Sequence, residues 1–197
     1  MATSRGFAPL VAIFIYFSDM DNKIFEMETA RIGLRKWVET DAEALYRHAS
    51  HPDVGPRAGW QPHSDVEESR TIISTVFNTP TTWAIVLKET GEPIGAIGYG
   101  ESCEHDGIPA LPGEPVVGYW VAQPYWGMGI CTEALRLVIG YAQNSGLTSL
   151  VSGHFTDNPA SGRVMEKCGF RATGEHYFSP ELYSGENRPI RVLRLTL

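Results

Sequence analysis

Apolar and polar positions alternate over residues 31–37, "RIGLRKW", and a period of two predicts a strand. The pattern changes at "TDAEALYRHA", where Thr40 and Glu43 stand three apart as a capping box and open a helix. "HPDVGPRAGWQPH" breaks all periodicity with Pro and Gly and reads as a loop. A second box, Ser64 with Glu67, opens a helix that runs to about Phe77. "TTWAIVL" and "PIGAIGYG" flank the turn "KETGEP" and make a hairpin. Residues 101–115 form a polar, Pro/Gly-bearing loop, and "VVGYWVA" over 116–122 is a strand. "TEALRLVIGYAQNSG" is a helix with Leu135, Val138, Ile139 and Ala142 on one stripe and Gly146 as its stop. "LTSLVSGHF" is a strand. "NPASGRVMEKCGF" is a short helix opened by Asn158 and Pro159 and closed by Gly169. "RATGEHYFS" and "PIRVLRLTL" end the chain as a strand pair. The order β-α-α-β-β-β-α-β-α-β-β predicts an α+β fold, a mixed sheet of about seven strands flanked by about four helices.

Length and composition narrow the class. The 197 residues carry no repeat or low-complexity linker and suit one domain with a sizeable core. "METARIGLRKW" marks a domain start at Met27, so 27–197 is read as the domain and 1–26 as an N-terminal extension. The extension holds "APLVAIFIYF" at residues 8–17, far shorter than the ~20 residues a bilayer demands. No small-x-small cleavage site follows it, so it reads as an added strand or the contact of a homodimer, not as a signal peptide. Sixteen basic against 23 acidic residues give a net charge of −7. That argues against nucleic acid as a partner and is compatible with a cationic one. Cys103, Cys131 and Cys168 show neither zinc nor redox spacing, which fits a reducing, cytoplasmic setting. The six histidines show no ligand spacing, and no metal is expected.

The most informative stretch is "YWVAQPYWGMGICTEAL", residues 119–135, where Gly127 and Gly129 stand between a strand and a helix. The first N–H groups of a helix lack internal partners, and the macrodipole adds positive potential, so this junction suits an anion. Glycines let a phosphate approach the backbone with no Cβ in the way. No Lys-Ser/Thr follows, and G-x-G-x-x-G is absent, so neither a nucleotide-hydrolysing loop nor a dinucleotide fingerprint is present.

"GYW", "YWGMGICTEAL" and, about 25 residues on, "NPASGRVMEKCGF" closely resemble the GNAT superfamily of acetyl-CoA-dependent N-acetyltransferases. In particular they resemble the branch that acetylates protein N-termini, ribosomal proteins among them, together with its small-amine relatives. The resemblance spans roughly residues 28–197 and includes the "METARIGLR" start and the "ETGEPIG" hairpin. It implies a strongly twisted sheet whose strands splay at the cofactor site. It also implies that the diphosphate of acetyl-CoA rests on the backbone N–H groups of Trp126, Gly127, Met128, Gly129, Ile130 and Cys131. The pantetheine arm would then bond the exposed backbone at Trp120, Val121 and Ala122 as an added strand does, with Asn158 on its other side. Two positions depart from the pattern: Pro124 stands where Gln or Arg is usual, and Cys131 replaces a common alanine.

Acetyl transfer needs a neutral amine beside the thioester, an oxyanion donor and a proton for the departing thiolate. The resemblance implies direct attack in a ternary complex, with a backbone N–H near Val121 as the oxyanion donor. Relatives carry a glutamate where this chain has Val116, so Glu114, Glu101 and His105 are the candidate bases. Many relatives use a tyrosine in the last helix where this chain has Met165; in the resembled branch a serine three after the asparagine takes that part, here Ser161. Tyr119 and Tyr125 read as packing residues. An α-amine, pKa ~8 against ~10.4 for lysine, manages with a weak base. The acceptor is therefore expected to be a protein N-terminus or a small amine, recognised by Arg57, Trp60, His63 and the 101–115 loop. The alternative is a coenzyme A-binding sensor or assembly module without turnover, which the Val116 and Met165 departures favour.

Overall fold

The computed structural model describes residues 24–101, 108–178 and 187–197. The apolar stretch at 8–17, Cys103 and His105 lie outside the described residues. The strands are β1 (Met27–Glu28), β2 (Ile32–Arg35), β3 (Thr82–Leu87), β4 (Glu92–Gly100), β5 (Val116–Val121), β6 (Ser149–Phe155), β7 (Arg171–Phe178) and β8 (Pro189–Thr196). The helices are α1 (Ala42–Ala49), α2 (Val54–Ala58), α3 (Val66–Thr75), α4 (Ile130–Asn144) and α5 (Pro159–Lys167). The strands form one sheet in the order β1-β2-β3-β4-β5-β6-β8-β7. Every neighbouring pair is antiparallel except β5 and β6, which run parallel.

The α+β architecture with a mixed, open sheet is as expected, with one more strand and one more helix than the periodicity predicts. The extra strand, β1, has two residues, too few for an alternation to show. The extra helix, α2, lies in "VGPRA", inside the segment read as a loop. Its proline, Pro56, occupies the first turn, where a missing N–H costs nothing. The second cap is also one residue late. Asp65, not Ser64, accepts the N–H of Glu68 at 2.7 Å, while the Glu68 carboxylate reaches back to the Ser64 N–H at 2.6 Å.

The sheet is buried on both faces near its middle. Along β3, Trp83 and Ile85 join the cluster built on α4, with Leu135, Val138, Phe170 and Leu193. Ala84 and Val86 face the opposite side, against Leu45 of α1 and Ile73 of α3. That explains why β3 reads as a continuous apolar run. Phe25 packs on the second cluster, and the Glu26 carboxylate accepts from the Trp83 indole at 2.7 Å. Among the described residues no helix is long and apolar enough to cross a membrane.

Two histidines sit under this framework. Burial pushes the His63 imidazole below its usual 6.5, with Glu68 opposing, and burial does the same to His48 against the pull of Glu92. The folded state therefore favours the neutral rings, and the unfolded chain takes up protons first as pH falls. Their contribution is complete above 6.5 and is lost as pH drops through the depressed folded values. The melting temperature should fall between pH 7 and pH 5, and His63→Gln should reduce that fall.

Candidate active site

β5 and β6 are paired only at Val116 and Val151. There the Val151 N–H donates to the Pro115 carbonyl at 3.0 Å and the Ser152 hydroxyl to the Val117 carbonyl at 2.8 Å. Beyond that point the two strands part. The opening is a cleft of about 770 Å³ that runs between them to the start of α4. Its size suits a ligand of several hundred Å³.

Strand alternation decides which backbone groups face the gap. The Ala122 N–H bonds the Ile94 carbonyl on β4 at 2.8 Å. Trp120 thus directs its backbone groups at β4, as Ala122 does its N–H, while the Ala122 carbonyl accepts the Tyr125 N–H at 3.0 Å; Tyr119 and Val121 direct their backbone groups at the parting side. The Val121 carbonyl is taken by the Trp126 indole N–H at 2.7 Å. The N–H groups of Tyr119 and Val121 and the Tyr119 carbonyl face the cleft. Of the three residues expected to bond the pantetheine arm, Val121 alone presents backbone toward the gap.

The glycine turn lies at the floor of the cleft. Gly127 and Gly129 both have positive φ, 76° and 80°, which other residues adopt at a cost. Gly129 is the N-cap of α4, and the first helical bond runs from Glu133 N–H to its carbonyl at 3.0 Å. The N–H groups of Ile130, Cys131 and Thr132 precede that bond and have no acceptor within the helix. Trp126 and Met128 are partly exposed beside the turn. Burial pushes the Cys131 thiol up to about 12, so it stays a neutral packing group and no nucleophile.

Ser161 lies in the first turn of α5 and lines the cleft. Its partner is Tyr119, read from the sequence as a packing residue. The Tyr119 hydroxyl donates to the Ser161 carbonyl at 2.9 Å and lies 3.1 Å from the Ser161 hydroxyl. Burial holds the phenol well above its usual range, so it remains protonated. With that proton given to the carbonyl, the Tyr119 oxygen is left to accept from the Ser161 O–H. Met165 is fully buried in the core. Asn158 makes no cap bond; its amide donates to the Arg57 carbonyl at 3.1 Å and ties the start of α5 to α2.

The candidate bases fare differently. The Glu114 side chain is 1% exposed, and both its oxygens accept from the Arg194 guanidinium, at 2.7 and 2.9 Å. It also accepts the Leu111 N–H at 3.1 Å. It does not line the cleft; with exposed Glu101 it borders a separate shallow hollow beside β4. The structure thus gives Glu114 an ion-pair role in place of the expected one as base, and brings neither glutamate to Ser161.

On the other wall, α2 and the residues after it carry aromatic groups. Trp60 packs edge-to-face on Trp120, with centroids 5.6 Å apart. His63 backs Trp60 at 5.2 Å and bonds Ser69 through Nδ1 at 2.8 Å. Arg57 lies over the Trp126 ring at 5.2 Å. The charged residues among those lining the cleft are Arg57, Arg163, Lys167 and Arg188, all basic. Sequence reading missed this, although Arg163 and Lys167 stand four apart on one face of α5. The acidity of the whole chain is thus not repeated in the described lining, which suits an anionic ligand. No cluster of three or more potential metal ligands occurs among the described residues.

The sequence and the fold are similar to those of known proteins. The model of the acetyltransferase (GNAT) domain matches residues 31–171. The chain therefore belongs to the GNAT family, and it is an acetyltransferase. An uncharacterized N-acetyltransferase, YoaA, of Bacillus subtilis (strain 168) is 28% identical over 75% of this chain and 84% of its own length. Another, p20 of Bacillus licheniformis, is 26% identical over 74% of this chain and 82% of its own. Among solved structures, an acetyltransferase (GNAT family) from Bacillus anthracis has a TM-score of 0.72 at 19% identity, covering 86% of this chain and 97% of that one. The microcin C7 self immunity acetyltransferase MccE, solved with acetyl-CoA and AMP, has a TM-score of 0.71 at 19% identity, covering 86% of this chain and 94% of the other.

Proposed function

We propose that the protein transfers an acetyl group from acetyl-CoA to a primary amine, a protein N-terminus or a small molecule, by direct attack in a ternary complex. The observation that carries this reading is the parting of β5 from β6 over the unpaired N-terminus of α4. A thioester donor supplies an acyl carbon already activated toward amines. The N–H groups at the start of α4, with the Gly127–Gly129 turn, hold its diphosphate, and the basic lining offsets its charge. The backbone of Tyr119 and Val121 orients the arm, with Asn158 opposite. The Val121 N–H faces the gap and stabilises the oxyanion that develops at the carbonyl.

In the transfer itself a C–N bond forms and a C–S bond breaks. The Ser161 O–H turns from the Tyr119 oxygen to the departing sulfur and hands over its proton, which the serine regains from the solvent that takes up the amine's proton; Tyr119 keeps its bond to the Ser161 carbonyl and so holds the residue in place. No described residue lining the cleft is a carboxylate, so the amine arrives neutral and sheds its second proton to water or to the His154 imidazole, which also lines the cleft. An α-amine, pKa ~8, meets that demand far better than a lysine side chain at ~10.4.

Thioester consumption with acetyl-CoA and a panel of peptides and small amines tests the reading. Amine-dependent release of coenzyme A supports it; binding of acetyl-CoA with no release under any amine would leave a sensor. Ser161→Ala should lower kcat by about tenfold to a hundredfold with acetyl-CoA affinity nearly unchanged. Tyr119→Phe should give a smaller loss of the same kind. If the Ser161→Ala enzyme turns over at the parent rate, the hydroxyl has no part in the chemistry.

A further inference from the structure

Arg31 does not line the cleft, yet it reaches the phosphate turn from behind. It lies in the β1–β2 connection, and 102 residues separate it from Glu133 in the first turn of α4. Its Nε donates to the Glu133 carboxylate at 2.9 Å, and a second guanidinium nitrogen bonds the same oxygen. The third, Nη1, donates to the Met128 carbonyl at 3.1 Å, inside the glycine turn. The Thr29 hydroxyl takes the other Glu133 oxygen, and that Thr29 oxygen accepts the N–H groups of Arg31 and Ile32 at 3.2 Å each. Burial works against the charged Glu133 carboxylate, and Thr29 and Arg31 more than compensate, holding it below its usual range.

A turn of two positive-φ glycines around one residue has little stiffness of its own. Its only side chain, Met128, is more than half exposed. Fixing the Met128 carbonyl sets the neighbouring peptide plane, and with it the direction of the Gly129 N–H. A planar guanidinium grips the helix and the turn at once, which a point charge on a flexible stem does not do.

We infer that Arg31, clamped by Glu133 and Thr29, is a positioning residue that preorganises the glycine turn for the diphosphate of the donor. This rests on the proposed acetyl-CoA reading of the cleft. The contribution is confined to the diphosphate end, because Arg31 touches neither the parting strands nor Ser161.

The test compares acetyl-CoA with S-acetylpantetheine, which has the thioester and arm but no diphosphate. Arg31→Gln should lower kcat/KM for acetyl-CoA by about tenfold to a hundredfold, mostly through KM, and leave S-acetylpantetheine within about twofold. Arg31→Lys keeps the charge without the fork and should stay impaired. Glu133→Gln separates geometry from charge. Removing a negative charge beside a diphosphate would tighten binding if charge alone mattered, whereas loosening the clamp weakens it. Melting temperatures of all three identify any general loss of fold. Equal losses with both donors, recovery in Arg31→Lys, or tighter acetyl-CoA binding in Glu133→Gln would overturn the inference. A parent enzyme that uses both donors equally well would instead sink the diphosphate reading itself, and the clamp's role with it.

Discussion

Replacing Gly127 with valine should raise the dissociation constant for acetyl-CoA by about tenfold or more, while the protein stays folded. Among the described residues, no atom beyond Gly127 and its two chain neighbours lies within 4 Å of the position a Cβ would take there, so the fold itself leaves that space open. What the substitution costs the free protein is the strain of a β-branched residue at φ 76°, on the order of 1–3 kcal/mol. What it costs the complex is more, because the proposed diphosphate occupies the space that the branched side chain enters. Gly113 supplies the control. It has the same φ of 76° and the same empty surroundings, but it borders the shallow hollow and not the cleft. Gly113→Val should therefore lose similar stability and keep its affinity. Calorimetric titration with acetyl-CoA and thermal melts of both variants decide the matter. If the two bind alike, the diphosphate does not lie against Gly127.

That contrast shows what a sequence can carry. The glycine turn is local: its conformation follows from residues a few positions apart, and "YWGMGICTEAL" sufficed to place it at the head of a helix. The main strands and helices were legible for the same reason, since burial imposes a period wherever an element is long enough to display one. α2 escaped because five residues containing Gly and Pro show no period and resemble a loop. The parting of β5 and β6 is not local. No residue in "VVGYWVA" states that its parallel partner leaves after one contact, and only the resemblance supplied that expectation. Tyr119 packs against the core as read, but the partner of its hydroxyl was hidden on similar grounds. Alternation puts its side chain on the face opposite Trp120, but the Ser161 hydroxyl it meets lies 42 residues away. The Arg31 clamp spans a still longer interval and has no periodic signature at all.

Glu114 is the clearest instance, and the second large effect is expected there. Its place two residues before Val116 suggested a base, yet the structure seals the carboxylate beneath Arg194, which is 80 residues distant and itself only 25% exposed. Arg194 also donates to the Pro109 carbonyl at 3.2 Å, so the pair fastens residues 109–114 to β8. Removing Glu114 leaves the Arg194 guanidinium only a longer contact to Glu175, at 3.9 Å, and costs about 3 kcal/mol. Glu114→Ala should accordingly lower the melting temperature by about 6–12 °C for a chain of this size. The kcat of the folded variant, measured well below its transition, should stay within about threefold of the parent, since the carboxylate does not face the cleft. A general base would give the opposite split: an intact melting temperature and a kcat reduced by about a hundredfold. The double variant Glu114→Leu with Arg194→Leu sharpens the distinction. A buried ion pair exchanged for two apolar side chains is often nearly neutral in stability, so the double variant should recover most of what Glu114→Ala loses. No such rescue is available to a missing catalytic carboxylate.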